Sequence, residues 1–350
     1  MESGIKNLVR KNILNLKPYS SARSEYKGAA SVLLDANENS FGSPLSENFN
    51  RYPDPLQTHL KQKLAVLKGV LPSNICIGNG SDELIDHIIR IFCNPGKDEI
   101  ITCPPTFKMY EVAAAINDIA VKKVLLDPSF NPDVEEILKQ VTENTKVIFL
   151  CSPNNPTGNN LSAKAIQLIL ESFKGIVVID EAYIDFSEQP SFIEQINRHP
   201  HLVVLQTMSK AWGLAGLRIG MAFSNTEIIE LMTRIKMPYN VNAASQTLAL
   251  DALANRSQVE KWRDEIIGER NWLSNQLKQF NFIENIYPSD ANFILIRVRD
   301  AQALYSFLIS ESIIIRNQSS QPTLNNCLRI TVGTPEENKM LIREMKKFQS

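Results

Sequence analysis

The sequence predicts an α/β protein with a large, mostly parallel sheet covered by helices, followed by a smaller α+β domain. Short, nearly continuous apolar runs end abruptly in polar or Gly/Pro clusters through the first two thirds of the chain, and helix-like stretches separate them. Such strands are typical of a parallel sheet with helices on both faces. A second observation is a change of pattern after about residue 277, where a smaller set of strands and helices follows.

Composition and charge describe an ordinary globular protein. The chain has 350 residues, 43% hydrophobic and 21% charged, which is enough for two domains or one large one. The 37 Lys and Arg residues nearly balance the 38 Asp and Glu residues, which leaves a formal net charge of -1. Because no global positive field attracts polyanions, we expect no nucleic-acid partner.

The cysteines and the N-terminal segment bear on location. The five cysteines are odd in number and scattered, with no Cys-x-x-Cys pair, which argues against a disulfide framework and a zinc site. Basic residues interrupt the apolar residues of segment 1–16, so it lacks the core of a signal peptide. No run approaches the roughly 18 apolar residues of a membrane span. We expect a soluble cytoplasmic protein that holds no metal and does not associate with a membrane.

The order of the segments predicts three regions. Five strands are predicted early in the chain, at 75–77, 99–102, 146–151, 176–179 and 202–205. Residues 241 to about 277 are predicted to form one long helix. The remaining pattern predicts strands at 291–298, 312–316 and 327–332, with helices at 301–310 and from 335 onward. The predicted regions are an N-terminal arm (1–40), a large domain (41–250) and a small domain (251–350).

Chemically useful side chains follow the predicted strands. Ligands bind beyond the carboxyl ends of the strands in an open parallel sheet, so the residues directly after each strand are expected to form one site. Those residues are Gly80, Ser81, Phe107, Asn155, Asp180, Tyr183, Thr207, Ser209 and Lys210, with Arg218 eight positions further on.

The turn at Gly80, Ser81 and Asp82 suits a phosphate. A glycine turn at a helix start offers unpaired backbone N–H groups and the positive end of the helix dipole. An ordinary helix cap is the alternative interpretation. The turn also resembles part of a dinucleotide fingerprint, but Glu83 occupies the third glycine position, so a nicotinamide cofactor is the weaker hypothesis.

Asp180 and Lys210 each follow an apolar strand. A carboxylate there is costly unless it faces a cation, and a pyridinium nitrogen would serve, since a fixed carboxylate keeps it protonated. Asp180 as a cap of the next helix is the alternative. A partly buried lysine can lose its proton and act as an amine nucleophile, whereas most lysines are surface charges.

Together these residues resemble a known family, the fold-type I pyridoxal-phosphate aminotransferases. The matching motifs are SPNNPTG at 152–158, VIDEAY at 178–183, TMSKA at 207–211 and GLRIG at 216–220. The resemblance covers nearly the whole chain. It implies the fold predicted above and pyridoxal 5'-phosphate as the cofactor.

The resemblance also implies a role for each matched residue. Lys210 would bind the cofactor covalently and shuttle the proton, and Asp180 would hold the pyridine nitrogen. Asn155 and Tyr183 would bind the ring hydroxyl, and Phe107 would stack on the ring in place of the tyrosine found in many relatives. The phosphate region would be surrounded by Ser81, Asp82, Ser209 and Arg218. Tyr52 would reach the phosphate of a neighbouring subunit, which implies a homodimer with shared active sites.

Other motifs resemble the branch of that family that transaminates histidinol phosphate. They are SAR at 21–23, LDANEN at 34–39, RYPDP at 51–55 and CLRITVGT at 327–334. The implied substrates are L-histidinol phosphate and glutamate or 2-oxoglutarate, in histidine biosynthesis, with Tyr19, Asn37, Arg316 and Arg329 as substrate-binding residues. The alternatives are an aromatic amino-acid transaminase, a threonine-phosphate decarboxylase and a non-catalytic regulator that binds pyridoxal phosphate.

Overall fold

A computed structural model describes residues 4–17, 31–45 and 48–348 of the chain. Its strands form two sheets, one of seven strands and one of four. The predicted α/β architecture, with a large sheet and a smaller second one, is confirmed. No helix in the described part of the chain is long and apolar enough to cross a membrane.

The seven-stranded sheet has the order β1-β7-β6-β5-β4-β2-β3. Strand β7 runs antiparallel to both of its neighbours, and the other pairs are parallel. The strands are β1 (Ile75–Asn79), β2 (Glu99–Thr102), β3 (Ala120–Lys123), β4 (Thr145–Cys151), β5 (Ile176–Asp180), β6 (Leu202–Thr207) and β7 (Ile219–Phe223).

Alternate residues of each central strand enter two different apolar cores. In β5, Val177 and Ile179 belong to one core, while Ile176 and Val178 belong to the other. Both faces of the sheet are therefore buried, which explains why the middle positions of the central strands are apolar.

Two strands of this sheet were not predicted. Strand β3 is a partly exposed edge strand with two lysines, so it lacks an apolar run. Strand β7 is completely buried, but its short run contains Gly220 and overlaps the GLRIG motif at 216–220, which is associated with the phosphate region. Its antiparallel position between β1 and β6 depends on pairing that a local pattern does not reveal.

The helices of the large sheet pack on both of its faces. They are α1 (Lys11–Leu14), α2 (Thr58–Lys68), α3 (Ser81–Phe92), α4 (Met109–Ile116), α5 (Val134–Gln140), α6 (Ala163–Ser172), α7 (Thr226–Ile235) and α8 (Ala243–Ala254). Helix α3 begins directly after β1, and seven of its side chains are buried.

The region predicted as one long helix forms two. Helix α8 ends at Ala254, and α9 (Arg256–Leu277) begins after Asn255. The Asn255 side-chain amide donates to the Asp251 carbonyl over 3.0 Å. Asparagine bonds readily to nearby backbone in this way, which favours helix ends over helix interiors.

The second sheet is antiparallel, with the order β10-β11-β9-β8. Its elements are β8 (Ile283–Ile286), β9 (Phe293–Val298), α10 (Ala301–Ser310), β10 (Arg316–Asn317), β11 (Cys327–Thr331) and α11 (Pro335–Met345). Strand β8 was not predicted. The strand predicted at 312–316 is wrong except at its end, because Ser312 has a φ of 62° and Ile313 N–H donates to Leu308 O over 2.8 Å in a turn after α10.

Candidate active site

A cavity of about 520 Å³ opens at the carboxyl ends of the central strands, and residues of both sheets line it. The structure brings most of the predicted site residues together here. The predicted residues that line it are Ser81, Asp82, Phe107, Asn155, Asp180, Tyr183, Thr207, Ser209, Lys210, Arg218, Arg316 and Arg329.

Two predicted site residues lie elsewhere. Asn37 and Tyr52 line a separate pocket, in which the Tyr52 ring stacks on Tyr239 with 4.5 Å between ring centroids. Tyr19 lies outside the described residues. A single chain therefore does not bring Tyr52 to the Lys210 cavity.

Asp180 is the last residue of β5, and only 3% of its surface is exposed. Its Oδ2 accepts a hydrogen bond from the Tyr110 hydroxyl over 2.7 Å, and its Oδ1 accepts one from Ala182 N–H over 3.1 Å. Burial raises the pKa of Asp180 to about 6, although both hydrogen bonds act in the opposite direction.

No lysine or arginine of the described ranges lies within 4.0 Å of the Asp180 carboxylate. A buried carboxylate of this kind is stabilised in its ionised form by a cation placed against it. The protonated ring nitrogen of pyridoxal phosphate has that charge, so the site fits this cofactor. The hydrogen bond that Oδ1 accepts from Ala182 N–H resembles that of a local cap. The helix-cap interpretation therefore accounts for Oδ1 of Asp180 but not for Oδ2, which accepts from Tyr110.

The phosphate-binding turn is built by close backbone approach. Gly80 has a φ of 78°, and its N–H donates to the Arg218 carbonyl over 2.7 Å. A Cβ on Gly220 of β7 would lie 2.3 Å from both the Gly80 carbonyl carbon and the Ser81 nitrogen. The turn therefore needs glycine at both positions to bring β7 against the start of α3.

Charged side chains flank this turn. Arg218 has a left-handed backbone, with a φ of 56°, and its Nη2 lies 3.0 Å from Asp82 Oδ2. Glu83 turns away from the cavity and accepts hydrogen bonds from Asn79 N–H over 2.6 Å and from the Asn240 amide over 2.7 Å. Glu83, which argues against a dinucleotide fingerprint, is thus held by hydrogen bonds to its surroundings.

Lys210 projects into the cavity from the turn after β6. That turn is held by Thr207, whose hydroxyl contacts Ser209 Oγ at 3.0 Å and the Ile219 carbonyl at 3.1 Å. The lysine Nζ lies 5.6 Å from the centre of the Tyr183 ring. The cavity walls desolvate the ammonium group and Arg329 repels it, and both effects lower the pKa of Lys210. A larger fraction of the free amine is therefore present than for a surface lysine.

Arg316 and Arg329 lie directly opposite each other on β10 and β11. Arg329 donates from Nη1 to Asn155 Oδ1 in the turn after β4, while its buried Nε has no partner among the described residues. Burial lowers the pKa of Arg329, and the charge of Arg316 lowers it further. Two guanidinium groups in one cavity form a site for an anion with several oxygen atoms.

Tyr110 and Gly220 are site residues that the sequence analysis missed. Tyr110 is completely buried and is the direct partner of Asp180. Its position three residues after Phe107, one of the predicted site residues, was an available signal. Gly220 lay inside a quoted motif, but its contact with Gly80 depends on the antiparallel pairing of β1 with β7.

No cluster of three or more His, Cys, Asp or Glu side chains within 4–17, 31–45 and 48–348 could hold a metal ion. The polar groups of the cavity are instead a lysine, two arginines, a buried carboxylate and a glycine turn. This set matches an organic phosphate with a cationic ring better than it matches an inorganic cation.

Comparison with known proteins agrees with this geometry. Residues 23–345 match the family model described as aminotransferase class I and II. Histidinol-phosphate aminotransferase of Parabacteroides distasonis is 53% identical over 345 residues, which is 99% of each chain. The crystal structure of histidinol-phosphate aminotransferase from Sinorhizobium meliloti, in complex with pyridoxal-5'-phosphate, superposes with a TM-score of 0.80 at 26% identity and covers 89% of each chain.

One neighbour bears on an alternative function. L-threonine-O-3-phosphate decarboxylase from Porphyromonas gingivalis has a TM-score of 0.72 at 24% identity, and the match covers 86% of this chain and 91% of that one. At this identity the likeness shows the shared fold alone. The chain belongs to the class I and II aminotransferases and, within them, to the family of the histidinol-phosphate aminotransferases.

Proposed function

We propose that this protein is a histidinol-phosphate aminotransferase. It exchanges an amino group between L-histidinol phosphate and 2-oxoglutarate, giving imidazole acetol phosphate and L-glutamate, by a ping-pong mechanism in histidine biosynthesis. The observation that carries the proposal is one cavity that combines the Lys210 amine, the buried Asp180 carboxylate and two facing arginines. The 53% identity to a named relative along the whole chain supports the choice of substrate.

The enzyme is a transaminase that depends on pyridoxal phosphate. When bound, this cofactor supplies an electron sink for the carbon that gains or loses the amino group. Asp180 would hold its ring nitrogen, Phe107 would cover a ring face, and Asn155 and Tyr183 would bind its hydroxyl. Ser81, Asp82, Ser209 and Arg218 would surround its phosphate, which is supported by their position around the glycine turn at the start of α3.

Lys210 is the proposed catalytic base and acid. Its lowered pKa favours the neutral amine, which can accept a proton from a substrate carbon and return it. The Thr207–Ser209 contacts hold the turn that carries it, so the amine stays within reach of the cavity centre.

Arg329 and Arg316 would bind the anionic part of each substrate. The same site has to accept the phosphate of histidinol phosphate in one half-reaction and the carboxylates of glutamate or 2-oxoglutarate in the other. Guanidinium groups bind both kinds of anion through paired hydrogen bonds. The partnerless Nε of Arg329 supports this role, since a buried donor is costly until an acceptor reaches it.

The functional unit is proposed to be a homodimer with shared sites. Tyr52 is 51% exposed and lies in a pocket apart from Lys210, which Phe49 also lines. The preceding segment 31–45 exposes further large apolar side chains: Val32, Leu34, Phe41 and Leu45. A second copy of the chain would cover this surface. Tyr52 would then reach the cofactor phosphate of the neighbouring subunit, and Asn37 would contribute from the same pocket.

Two further features of the protein are proposed. All five cysteines are free and buried, which supports a reducing compartment such as the cytoplasm.

A boundary near residue 250 is supported by the packing of α8 on α2 and of α9 on β8, β9 and α11. We retain the division into 1–40, 41–250 and 251–350 on this basis.

The two half-reactions test the proposed function. Visible absorption of the loaded enzyme is followed after adding L-histidinol phosphate alone and then 2-oxoglutarate. The first addition should convert the spectrum, and the second should restore it. Aromatic amino acids and threonine phosphate serve as comparators. Faster conversion by an aromatic amino acid, or release of CO2 from threonine phosphate, would overturn the assignment, and absence of any spectral response to the amino donors would favour a non-catalytic binding protein.

A further inference from the structure

Phe293 lies between two residues of the cavity, Arg329 on β11 and Tyr183 in the turn after β5. The guanidinium carbon of Arg329 is 5.2 Å from the centre of the Phe293 ring. The Tyr183 ring meets the Phe293 ring edge to face, with 5.1 Å between centroids and an angle of 85°. One ring therefore contacts both the proposed anion-binding arginine and the tyrosine beside Lys210.

The strand register explains this position. Phe293 is the first residue of β9, and it pairs with Thr331 of β11, while Arg329 pairs with Leu295. Side chains two residues apart on a strand share a face, so Phe293 and Arg329 are diagonal neighbours on one face of the small sheet. The Ser289 hydroxyl donates to the Phe293 carbonyl over 2.6 Å and anchors the start of the strand.

The packing around Phe293 is tight. Only 2% of its surface is exposed, and it belongs to a small apolar cluster with Tyr183, Phe186, Ala211 and Ala291. Ala211 follows Lys210 directly. This cluster joins the small sheet to the turns that carry Tyr183 and Lys210, and it is distinct from the main core of the small sheet.

The Phe293 ring both attracts the charge of Arg329 and orients its side chain. In the described part of the chain its side chain donates one hydrogen bond, to Asn155, and its Nε is unpaired. An aromatic face attracts a guanidinium group and restricts its plane. Because the Phe293 ring also contacts the Tyr183 ring, replacing Phe293 would change the positions of both Arg329 and Tyr183.

We propose that Phe293 is a positioning residue that holds the Arg329 guanidinium and the Tyr183 ring in one arrangement. This rests on the function proposed above. Phe293 acts through its neighbours and takes no part in the reaction itself. It sets the direction in which Arg329 presents its hydrogen-bond donors, and it sets the distance between Tyr183 and the Lys210 amine. The large and small sheets are thereby coupled at the substrate site through one side chain.

The test compares Phe293→Leu with Phe282→Leu. Phe282 is a suitable control because it is also a buried phenylalanine of the small sheet region, 4% exposed, but packs in the other cluster, against Phe280 and Phe348. The first readout is the dissociation constant of 2-oxoglutarate for the pyridoxal-phosphate form, measured by calorimetry. The second is the pH midpoint of the visible absorption band without substrate.

Phe293→Leu should weaken 2-oxoglutarate binding by about three- to thirtyfold, which is the range for loss of one cation–π contact. The pH midpoint should rise, since the positive charge of Arg329 opposes protonation of a nitrogen at the Lys210 position and a displaced guanidinium opposes it less. Phe282→Leu should change neither value, although both variants should lose thermal stability.

Unchanged binding and an unchanged midpoint in Phe293→Leu would overturn the proposal, as would equal effects in the two variants. If Phe293→Leu does not fold, Phe293→Met fills a similar volume without an aromatic face and should give the same two shifts. A double-mutant cycle with Arg329→Gln should show coupling, and additive effects would contradict the proposal. Neither measurement uses histidinol phosphate. An error in the proposed amino donor would therefore leave this test of Phe293 unaffected.

Discussion

The Tyr110 hydroxyl donates a 2.7 Å hydrogen bond to Asp180 Oδ2 in the buried base of the cavity. The same ring stacks on Phe149 with 4.8 Å between centroids and meets Phe107 edge to face at 5.6 Å. Tyr110 thus joins the acid proposed to hold the cofactor nitrogen to the ring proposed to cover the cofactor. Burial and the charge of Asp180 raise the pKa of Tyr110 well above its ordinary value, so it remains a hydrogen-bond donor.

Replacing Tyr110 with Phe should slow the half-reaction by about ten- to a hundredfold, which corresponds to losing a hydrogen bond to a charged group worth about 1.5 to 3 kcal/mol. Asp180→Asn should be slower still, because a neutral amide cannot keep the ring nitrogen protonated. Stopped-flow absorbance with L-histidinol phosphate measures both. A rate for Asp180→Asn within a few-fold of wild type would show that Asp180 serves only as a local helix cap.

Replacing Gly220 with Ala should weaken cofactor binding at least about tenfold, since the new Cβ would overlap the backbone of Gly80 and Ser81 and displace the phosphate turn. Gly216→Ala is the matched control, because a Cβ there meets no atom within 4 Å. Equilibrium dialysis against pyridoxal phosphate gives both dissociation constants. Equal affinity in the two variants would show that the turn does not require this close approach.

Replacing Glu181 with Gln should change how stability depends on pH. Glu181 is 1% exposed and accepts hydrogen bonds from Ser191 Oγ, Phe192 N–H and Gln206 Nε2, yet burial raises its pKa from 4.5 to about 7. Between these values the folded state binds more protons than the unfolded state. The free energy of unfolding contributed by this group is therefore fully present below pH 4.5 and is lost as the pH rises to about 7.

Thermal unfolding of the cofactor-free protein across this pH range measures the effect. Relative to Glu181→Gln, the wild type should lose stability with increasing pH, by at most about 1.4 kcal/mol per pH unit for one proton. Glu194→Gln provides the control, because Glu194 is exposed and lies in the turn Phe192–Gln195, whose first residue donates to Glu181. Parallel pH profiles for wild type and Glu181→Gln would contradict the buried titration.

Mixing Lys210→Ala with Tyr52→Ala should restore activity if Tyr52 serves the neighbouring subunit. Random exchange of equal amounts makes half of the dimers mixed, and each mixed dimer has one intact site, so about a quarter of wild-type activity is expected. Each variant alone should be nearly inactive. Differently tagged subunits verify the exchange by affinity capture, and exchange without recovery would place the function of Tyr52 within its own chain.

The amino-acid sequence determined the fold class, the family and most of the cavity. Central strands such as β5 are apolar up to their last residues because both faces of the sheet are covered, so their ends are marked by polar residues. Asp180 was found in this way, and Lys210 was found in the segment that follows the apolar run at 202–205. The family prediction is confirmed by the match over residues 23–345. The three-part division and the individual residue roles stay predictions.

Tertiary structure decided the contacts between residues that are far apart in the chain. Tyr110 and Asp180 are 70 positions apart, and Arg329 and Asn155 are 174 apart. Such pairs depend on the order and direction of the strands, and a local pattern contains no information on either. The insertion of antiparallel β7 between β1 and β6 brings Gly220 against Gly80, and the register of β9 with β11 brings Phe293 beside Arg329. Periodicity in the sequence reports which face of a strand is buried, whereas pairing is selected by the packing of the whole chain.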